Sequence, residues 1–195
     1  GYDKNFTYLI TCSRTGTQAI VDAALDTNEI NRFLRNDPVA ILITHGHSDH
    51  IAFLDNYVQQ YPGATILGHP DSKLKEKYSN FKKVDNNQEF VIGEMTYRCI
   101  HTPGHYFDSI CYQVSPVLFT GDTMFVGRTG RIKGKYSSIE DLYDSIYNKI
   151  LKMPGSIKIY PGHDYGDKPN ITLKENILNS PLPVSYTHLR AHETP

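Results

Sequence analysis

Three histidines and one aspartate fall within six residues of the segment ITHGHSDHIAFLD, which covers residues 43–55. They are His45, His47, Asp49 and His50, and they directly follow an apolar run. Imidazole nitrogens and carboxylate oxygens are common protein ligands of divalent metal ions such as Zn²⁺ and Fe²⁺. The residue types and their spacing therefore predict a metal site on the loop that follows a strand.

Three later segments repeat the same arrangement, in which a polar side chain follows a predicted strand. These side chains are His105 in HTPGH, Asp122 in LFTGD and His163 in IYPGH. Because loops at the ends of neighbouring strands converge, four segments can deliver seven ligands to one cleft. One tetrahedral ion takes four protein ligands, or three and a water molecule in a catalytic site. Seven ligands therefore predict two ions that share a bridge.

The elements that must position these residues are short strands interspersed with amphipathic helices. Strands are predicted at residues 6–12, 17–23, 39–44, 64–68, 95–102, 109–114, 116–122 and 156–164. Three helices are predicted. The first covers residues 27–36, the second directly follows the histidine cluster of residues 45–50, and the third covers residues 137–152. The last of these helices has Ser137 and Glu140 at capping-box spacing. This order predicts an α/β layered domain.

Composition narrows the class of protein. With 195 residues and 39% hydrophobic content, the chain can bury the core of a single domain. A formal net charge of -1 gives no broad attraction for a polyanion, so no nucleic-acid partner is predicted. No apolar run approaches the roughly 20 residues of a membrane span. The three cysteines are widely spaced without a CxxC motif, which favours reduced thiols and a cytoplasmic location.

The carboxyl-terminal segment VSYTHLRAHETP, residues 184–195, breaks the preceding pattern. It resembles a peptide translated from a sequencing adapter, so we expect a foreign or disordered tail that makes few contacts with the domain. His188 and His192 lie in this segment and are left out of the predicted ligand set. The predicted domain covers residues 1–183.

The motifs THGHSDH, TPGH, FTGDT and YPGHDYG occur in this order, and the arrangement resembles the metallo-β-lactamase superfamily over nearly all of residues 6–181. The resemblance implies a four-layer αβ/βα sandwich with the metals at one edge of two packed sheets. It also implies that Asp122 bridges two ions and that Asp49 and Asp122 are the carboxylates that take part in catalysis. The implied ligand sets are His45, His47 and His105 for one ion and Asp49, His50 and His163 for the other.

Within that superfamily, GDTMFVGRTGRIKG and the following YDSIYNKILKMPGSIKIYPGHDYG resemble glyoxalase II, the hydroxyacylglutathione hydrolases, and the similar persulfide dioxygenases. Two departures concern substrate binding more than metal binding. Thr129 stands where these families usually have cysteine, and Tyr106, Phe107 and Asp108 stand where they usually have Thr-Pro-Gly. Glyoxalase II enzymes also carry a carboxyl-terminal helical domain, for which this chain has no room.

The resemblance implies cleavage of S-acylglutathione or a related small thioester by a metal-bound hydroxide. Two divalent ions, Zn²⁺ in the first place and Fe²⁺ or Mn²⁺ as alternatives, would lower the pKa of a bound water towards about 7. The leaving thiol has a pKa of about 8.5, so its thiolate needs little help from an acid. In the basic segment GRTGRIKGKY we predict that Arg128, Arg131 and Tyr136 bind the substrate, because glutathione conjugates carry two carboxylates.

Other activities remain open at this stage. A persulfide dioxygenase would hold one Fe²⁺ through His45, His105 and Asp122 and leave positions for oxygen and the thiol. A lactonase and an inactive, truncated fragment are further alternatives. A nuclease is disfavoured by the near-zero net charge. The pattern makes no prediction about oligomeric state.

Overall fold

The computed structural model describes residues 2–179 of the chain. Two β-sheets pack face to face, and helices cover the outer face of each sheet, which gives four layers. The predicted four-layer αβ/βα sandwich is therefore confirmed. The predicted tail at residues 184–195 lies outside the described residues, as do the last residues of the predicted domain.

The amino-terminal half forms a five-stranded sheet in which the strands follow one another in chain order. β1 pairs antiparallel with β2, and the pairs from β2 to β5 are parallel. The parallel strands bring their carboxyl ends to one edge, where the segment with His45 begins. The strands are β1 (Tyr8–Thr11), β2 (Gln18–Val21), β3 (Ala40–Leu42), β4 (Thr65–Gly68) and β5 (Phe81–Lys83).

The second sheet has six strands. They are β6 (Glu89–Ile92), β7 (Met95–His101), β8 (Ile110–Val114), β9 (Val117–Gly121), β12 (Lys158–Pro161) and β13 (Ile171–Thr172). Their order across the sheet is β13-β12-β9-β8-β7-β6, with β9 and β12 parallel. A separate two-stranded hairpin is formed by β10 (Met124–Phe125) and β11 (Arg128–Thr129). Because β9 and β12 run in the same direction, Asp122 and His163 leave the sheet at the same edge.

The core follows the period-two alternation of the strands. In β2, Ala19 and Val21 pack between the sheets, while Ile20 between them packs against the outer helices. The helices over the first sheet are α1 (Thr27–Asn31), α2 (Leu54–Gln60) and α3 (Leu74–Lys77), and those over the second are α4 (Ile139–Tyr143) and α5 (Leu173–Asn179). Their buried faces and the sheets hold the strand ends in place.

Two predicted helices differ from the observed ones. The helix predicted at residues 27–36 ends at Asn31, because the amides of Arg35 and Asn36 donate to the side-chain oxygen of Gln18 instead of to helix carbonyls. The helix predicted at residues 137–152 is α-helical only over Ile139–Tyr143 and continues as a π turn and a 3₁₀ turn.

The amino-terminal cap of α4 was also predicted one residue too early. Ser138, and not Ser137, caps the helix by accepting from the amide of Asp141 (3.1 Å). The Ser138 amide donates to the carbonyl of Gly104 (2.8 Å), which fixes the start of the helix, while the Ser137 hydroxyl donates to Gly134. The capping box predicted for Ser137 and Glu140 is therefore wrong.

None of the helices in the described part of the chain has the length and apolar character that crossing a bilayer requires. The three cysteines, Cys12, Cys99 and Cys111, are free and buried. Cys99 and Cys111 pack in the apolar core, as free cysteines commonly do, whereas Sγ of Cys12 accepts from the amide of Glu94 (3.4 Å).

Candidate metal centre

Asp22 fixes the loop that carries the first histidines. It follows β2 with a left-handed backbone (φ 59°), which aspartate tolerates better than most residues. Its carboxylate accepts from the amide and the hydroxyl of Thr44, both at 2.8 Å, and from Nδ1 of His50 at 2.8 Å. The sequence prediction did not include Asp22, although it also lies at the end of a predicted strand. A search for polar side chains at the end of every predicted strand would have found Asp22.

The first ligand group consists of His45, His47 and His105. Nε2 of His45 and Nε2 of His105 lie 2.9 and 3.0 Å from Nδ1 of His47. Nδ1 of His105 donates to the carbonyl of Arg131 (2.7 Å), which leaves a lone pair on Nε2 of the neutral ring. Three nitrogens this close cannot all hydrogen-bond to one another, whereas a cation between them can bind all three.

The second ligand group consists of Asp49, His50 and His163, whose ligand atoms lie within 4.8 Å of one another. Nε2 of His50 and Nε2 of His163 are 3.2 Å apart. Each ring has its Nδ1–H committed elsewhere, His50 to Asp22 and His163 to the carbonyl of Asp3 (2.9 Å). When both rings are neutral, their Nε2 lone pairs face each other, and a cation between them would satisfy both.

Asp122 lies between the two groups. Its Oδ1 is 3.1 Å from Nε2 of His50, and its Oδ2 is 3.2 Å from Nε2 of His163 and 3.6 Å from Nε2 of His105. Oδ1 is buried and makes no hydrogen bond within the described residues. Buried carboxylate oxygens are normally hydrogen-bonded or coordinated. Asp122 is thus placed where a bridging ligand would lie, which supports its predicted role.

The two groups differ in how they attract protons. Burial lowers the pKa of His45 well below its usual range and also lowers the pKa of His105. Burial alone would act in the same way on His50, but Asp22 and Asp122 raise its pKa well above the usual value. The first group therefore offers neutral imidazoles, and the second attracts positive charge.

Burial alone would also raise the pKa of Asp122, but the neighbouring imidazoles of His163 and His50 hold it well below its usual range. Asp122 is therefore an ionised carboxylate. Neutral imidazoles and ionised carboxylates are the forms in which these side chains bind divalent ions. The donor set fits two such ions.

Glycines allow the close packing of the site. A Cβ at Gly104 (φ 133°) would lie 2.3 Å from the backbone of Leu142 in α4, directly beside the His105 loop. A Cβ at Gly162 would lie 2.4 Å from Oδ1 of Asp122 and 2.7 Å from the ring of His50. Both positions need glycine, the first for its backbone conformation and both for the lack of a side chain.

The start of the chain crosses the second ligand group, and we call residues 3–6 the amino-terminal strap. The Asp3 carbonyl accepts from His163, and Phe6 donates its amide to Gly162 (2.8 Å). Asn5, which is buried, donates its side-chain amide to Oδ2 of Asp49 (3.0 Å). The strap thus orients two predicted ligands. Sequence patterns did not predict it, because its partners are distant in the chain.

Replacing Asn5 by alanine is expected to weaken metal binding by the second ligand group about 10- to 100-fold, since loss of a residue that orients a ligand typically has that effect on metal affinity. Competition with a chromophoric chelator measures this affinity for each ion. Asn28→Ala, at an exposed position in α1, is the matched control. Equal affinities in the Asn5→Ala protein and the control would contradict an orienting role for Asn5.

A cleft of about 330 Å³ opens over the cluster. Arg128 and Arg131, predicted to bind the substrate, line it together with Lys133, whereas the predicted Tyr136 does not. Tyr136 packs instead against Tyr106, with 5.8 Å between the ring centroids. The remaining lining residues are Asp3, His47, Asp49, His105, Asp122, Phe125, Thr129, His163 and Tyr165. The basic residues and the ligand groups therefore share one cleft.

Comparison with known proteins places this arrangement in a family. The model of the metallo-beta-lactamase superfamily matches residues 2–163. The "Probable polyketide biosynthesis zinc-dependent hydrolase BaeB" of Bacillus velezensis is 30% identical over 181 residues, which is 91% of this chain and 80% of the relative. A hydroxyacylglutathione hydrolase of Francisella tularensis subsp. novicida is 34% identical over 170 residues, and this chain spans 64% of its length.

Solved structures agree with this result. The crystal structure of ETHE1 from Myxococcus xanthus superimposes with a TM-score of 0.81 at 26% identity, covering 92% of this chain and 79% of that one. The family model, the relatives and the fold point in the same direction. The chain belongs to the metallo-β-lactamase superfamily.

Proposed function

We propose that the protein is a metal-dependent hydrolase of the glyoxalase II type that cleaves S-acylglutathione or a related small acyl thioester. The observation that carries this proposal is the pair of ligand groups on either side of Asp122, in one cleft with Arg128 and Arg131. The names of two relatives, a hydroxyacylglutathione hydrolase and a zinc-dependent hydrolase, support it.

The proposed cofactor is a pair of divalent ions, with zinc as the first choice. When bound, such a pair polarises a carbonyl and lowers the pKa of water so that a nucleophile exists at neutral pH. The residues that would hold the pair are His45, His47 and His105 on one side, Asp49, His50 and His163 on the other, and Asp122 between them.

The chain's own groups orient this site and receive the substrate. Asp22 and the Asp3 carbonyl fix the tautomers and the ring orientations of His50 and His163. The guanidinium groups of Arg128 and Arg131 provide planar donors suited to carboxylates, which glutathione conjugates carry. No acid is needed for the leaving group, because a thiolate departs readily at neutral pH.

The proposal is tested by measuring metal content by mass spectrometry together with two assays. S-lactoylglutathione hydrolysis is followed under anaerobic conditions, and oxygen consumption is followed with glutathione persulfide. We expect two ions per chain and thioester cleavage without oxygen. One iron per chain, oxygen consumed on persulfide and an intact thioester would instead establish the mononuclear dioxygenase alternative.

Replacing Arg131 by alanine is expected to raise KM about tenfold or more and to change kcat less, because a hydrogen bond to a charged group contributes about 1.5 to 3 kcal/mol. The Arg131 carbonyl, which orients His105, stays in place in this variant. Steady-state kinetics with S-lactoylglutathione measure the effect, and Arg35→Ala, at an exposed site after α1, is the control. An unchanged KM would show that Arg131 does not bind the substrate and that the basic loop only faces solvent.

A further inference from the structure

The segment directly after His105 departs from the pattern that the family resemblance implies. Tyr106, Phe107 and Asp108 stand where the resemblance predicts Thr-Pro-Gly. Asp108 is buried, with 3% of its surface exposed, and its Oδ1 accepts from the amide of Gly46 (3.1 Å). Gly46 lies between two predicted metal ligands. Asp108 therefore ties this segment to the ligand loop.

This anchoring places an aromatic ring beside the metal centre. The ring centroid of Tyr106 lies 4.2 Å from that of His47, and Phe107 follows at 4.8 Å from Tyr106. Tyr136 completes the group at 5.8 Å from Tyr106 and 5.5 Å from Phe107. We call Tyr106, Phe107 and Tyr136 the aromatic wall.

The aromatic wall is partly exposed, and two lysine ammonium groups lie near Tyr136. Tyr106 and Phe107 are half-buried, and 43% of the surface of Tyr136 is exposed. The ammonium groups of Lys73 and Lys135 lie 5.5 and 5.6 Å from the Tyr136 ring centroid, within cation–π distance. Tyr106 is the ring of the wall that contacts His47.

His47 borders two chemically different regions. It lines the cleft together with the basic residues Arg128, Arg131 and Lys133, and its ring also contacts the ring of Tyr106, which is not among the residues that line the cleft. A glutathione thioester has the same division, with an anionic peptide on the sulfur side and an acyl group on the carbonyl side. Charge complementarity assigns the peptide to the basic residues, which leaves the acyl group for the aromatic wall.

We infer that the aromatic wall binds the acyl group of the substrate and that Tyr106 makes the enzyme favour aromatic or other planar apolar acyl thioesters over short hydroxyacyl ones. This inference rests on the proposed thioester hydrolysis. Contact between two aromatic rings contributes more binding free energy than the burial of their area alone. A lactoyl group has no ring and cannot make this contact. Tyr106 is a specificity-determining residue in this account.

The test compares kcat/KM for S-benzoylglutathione and S-lactoylglutathione in wild type, Tyr106→Ala, Tyr106→Phe and Phe33→Ala. The ratio of kcat/KM for the benzoyl thioester to kcat/KM for the lactoyl thioester cancels differences in overall activity between the variants. We expect the ratio to fall roughly three- to tenfold in Tyr106→Ala, in line with the energy of one aromatic pair, and to be kept in Tyr106→Phe. Phe33 is an exposed ring after α1 and is the matched control, in which the ratio should not change.

A binding measurement separates this inference from the proposed function. Isothermal titration with S-benzylglutathione and S-methylglutathione, which cannot be hydrolysed, should show weaker binding in Tyr106→Ala for the benzyl compound only. Thioester cleavage with a ratio and affinities insensitive to Tyr106→Ala would overturn the inference and leave the proposed function standing. No cleavage in wild type would overturn the proposed function, and the benzyl-to-methyl affinity difference would still decide whether Tyr106 binds the ring.

Discussion

Replacing His50 by alanine is expected to lower the metal content from two ions per chain towards one. Thioester hydrolysis should fall by about 1000-fold or more, because the loss of one ion from a two-metal site removes several kcal/mol of transition-state stabilisation. His50 is fully buried, and its Nε2 faces both His163 and Asp122. Mass spectrometry for metal and the S-lactoylglutathione assay measure the two effects.

His101→Ala is the matched control for this experiment. His101 stacks on His69 at 4.1 Å and belongs to neither ligand group. The control should therefore keep both ions. If the protein instead held a single iron through His45, His105 and Asp122, His50 would only support those ligands, and its loss would cost about 10- to 100-fold without removing an ion. An unchanged metal count in His50→Ala would refute the two-metal account.

Replacing Asp22 by alanine is expected to lower the free energy of unfolding of the metal-free protein by about 3 kcal/mol, because it leaves His50 and Thr44 without a buried partner. Asp22 accepts three hydrogen bonds from these two residues. The loss should depend on pH. The raised pKa of His50 means that its pairing stabilises fully below the unfolded value of about 6.5 and that this part is lost as the pH rises through the raised folded value.

Chemical denaturation in the presence of a chelator at pH 6 and at pH 9 measures this effect. The difference between wild type and Asp22→Ala should be larger at pH 6. Asp26→Ala, which removes the cap of α1 and no contact to the ligand groups, is expected to cost only about 1 kcal/mol at both pH values. An equal loss for Asp22→Ala at both pH values would contradict the charge pairing with His50.

The fold class and the first histidine cluster could be predicted from short stretches of the sequence. The layered α/β fold followed from apolar strands and their spacing, and it is confirmed. The cluster in HGHSDH was visible because its spacing lies within one loop. Asp122 and His163 could be placed beside it because residues at strand ends converge, and the parallel pairing of β9 and β12 brings them to one edge.

The parts that sequence patterns missed depend on contacts between distant segments. Asp22 lies at the end of a predicted strand, which marks it as a candidate polar residue, but its partners lie 22 and 28 positions away, so the local sequence does not show that it supports His50. Ser137 and Ser138 have the same intrinsic preference for a cap, and a hydrogen bond to Gly104 on another loop decides between them. Hydrogen bonds between distant segments, and not local propensity, decide these positions.

The amino-terminal strap has a consequence for the order in which the site can assemble. The first ligand group joins residues up to 60 positions apart, from His45 to His105. The second group needs His50 to meet His163, 113 positions away, and Asn5 lies 158 positions from His163. On a ribosome that makes the chain from its amino terminus, the first group can close while synthesis continues, whereas the second must wait for β12 and for the return of the strap. Loop closure over such separations is slow, so we expect metal uptake to proceed in two kinetic phases during refolding, with the ion of the first group bound before the other.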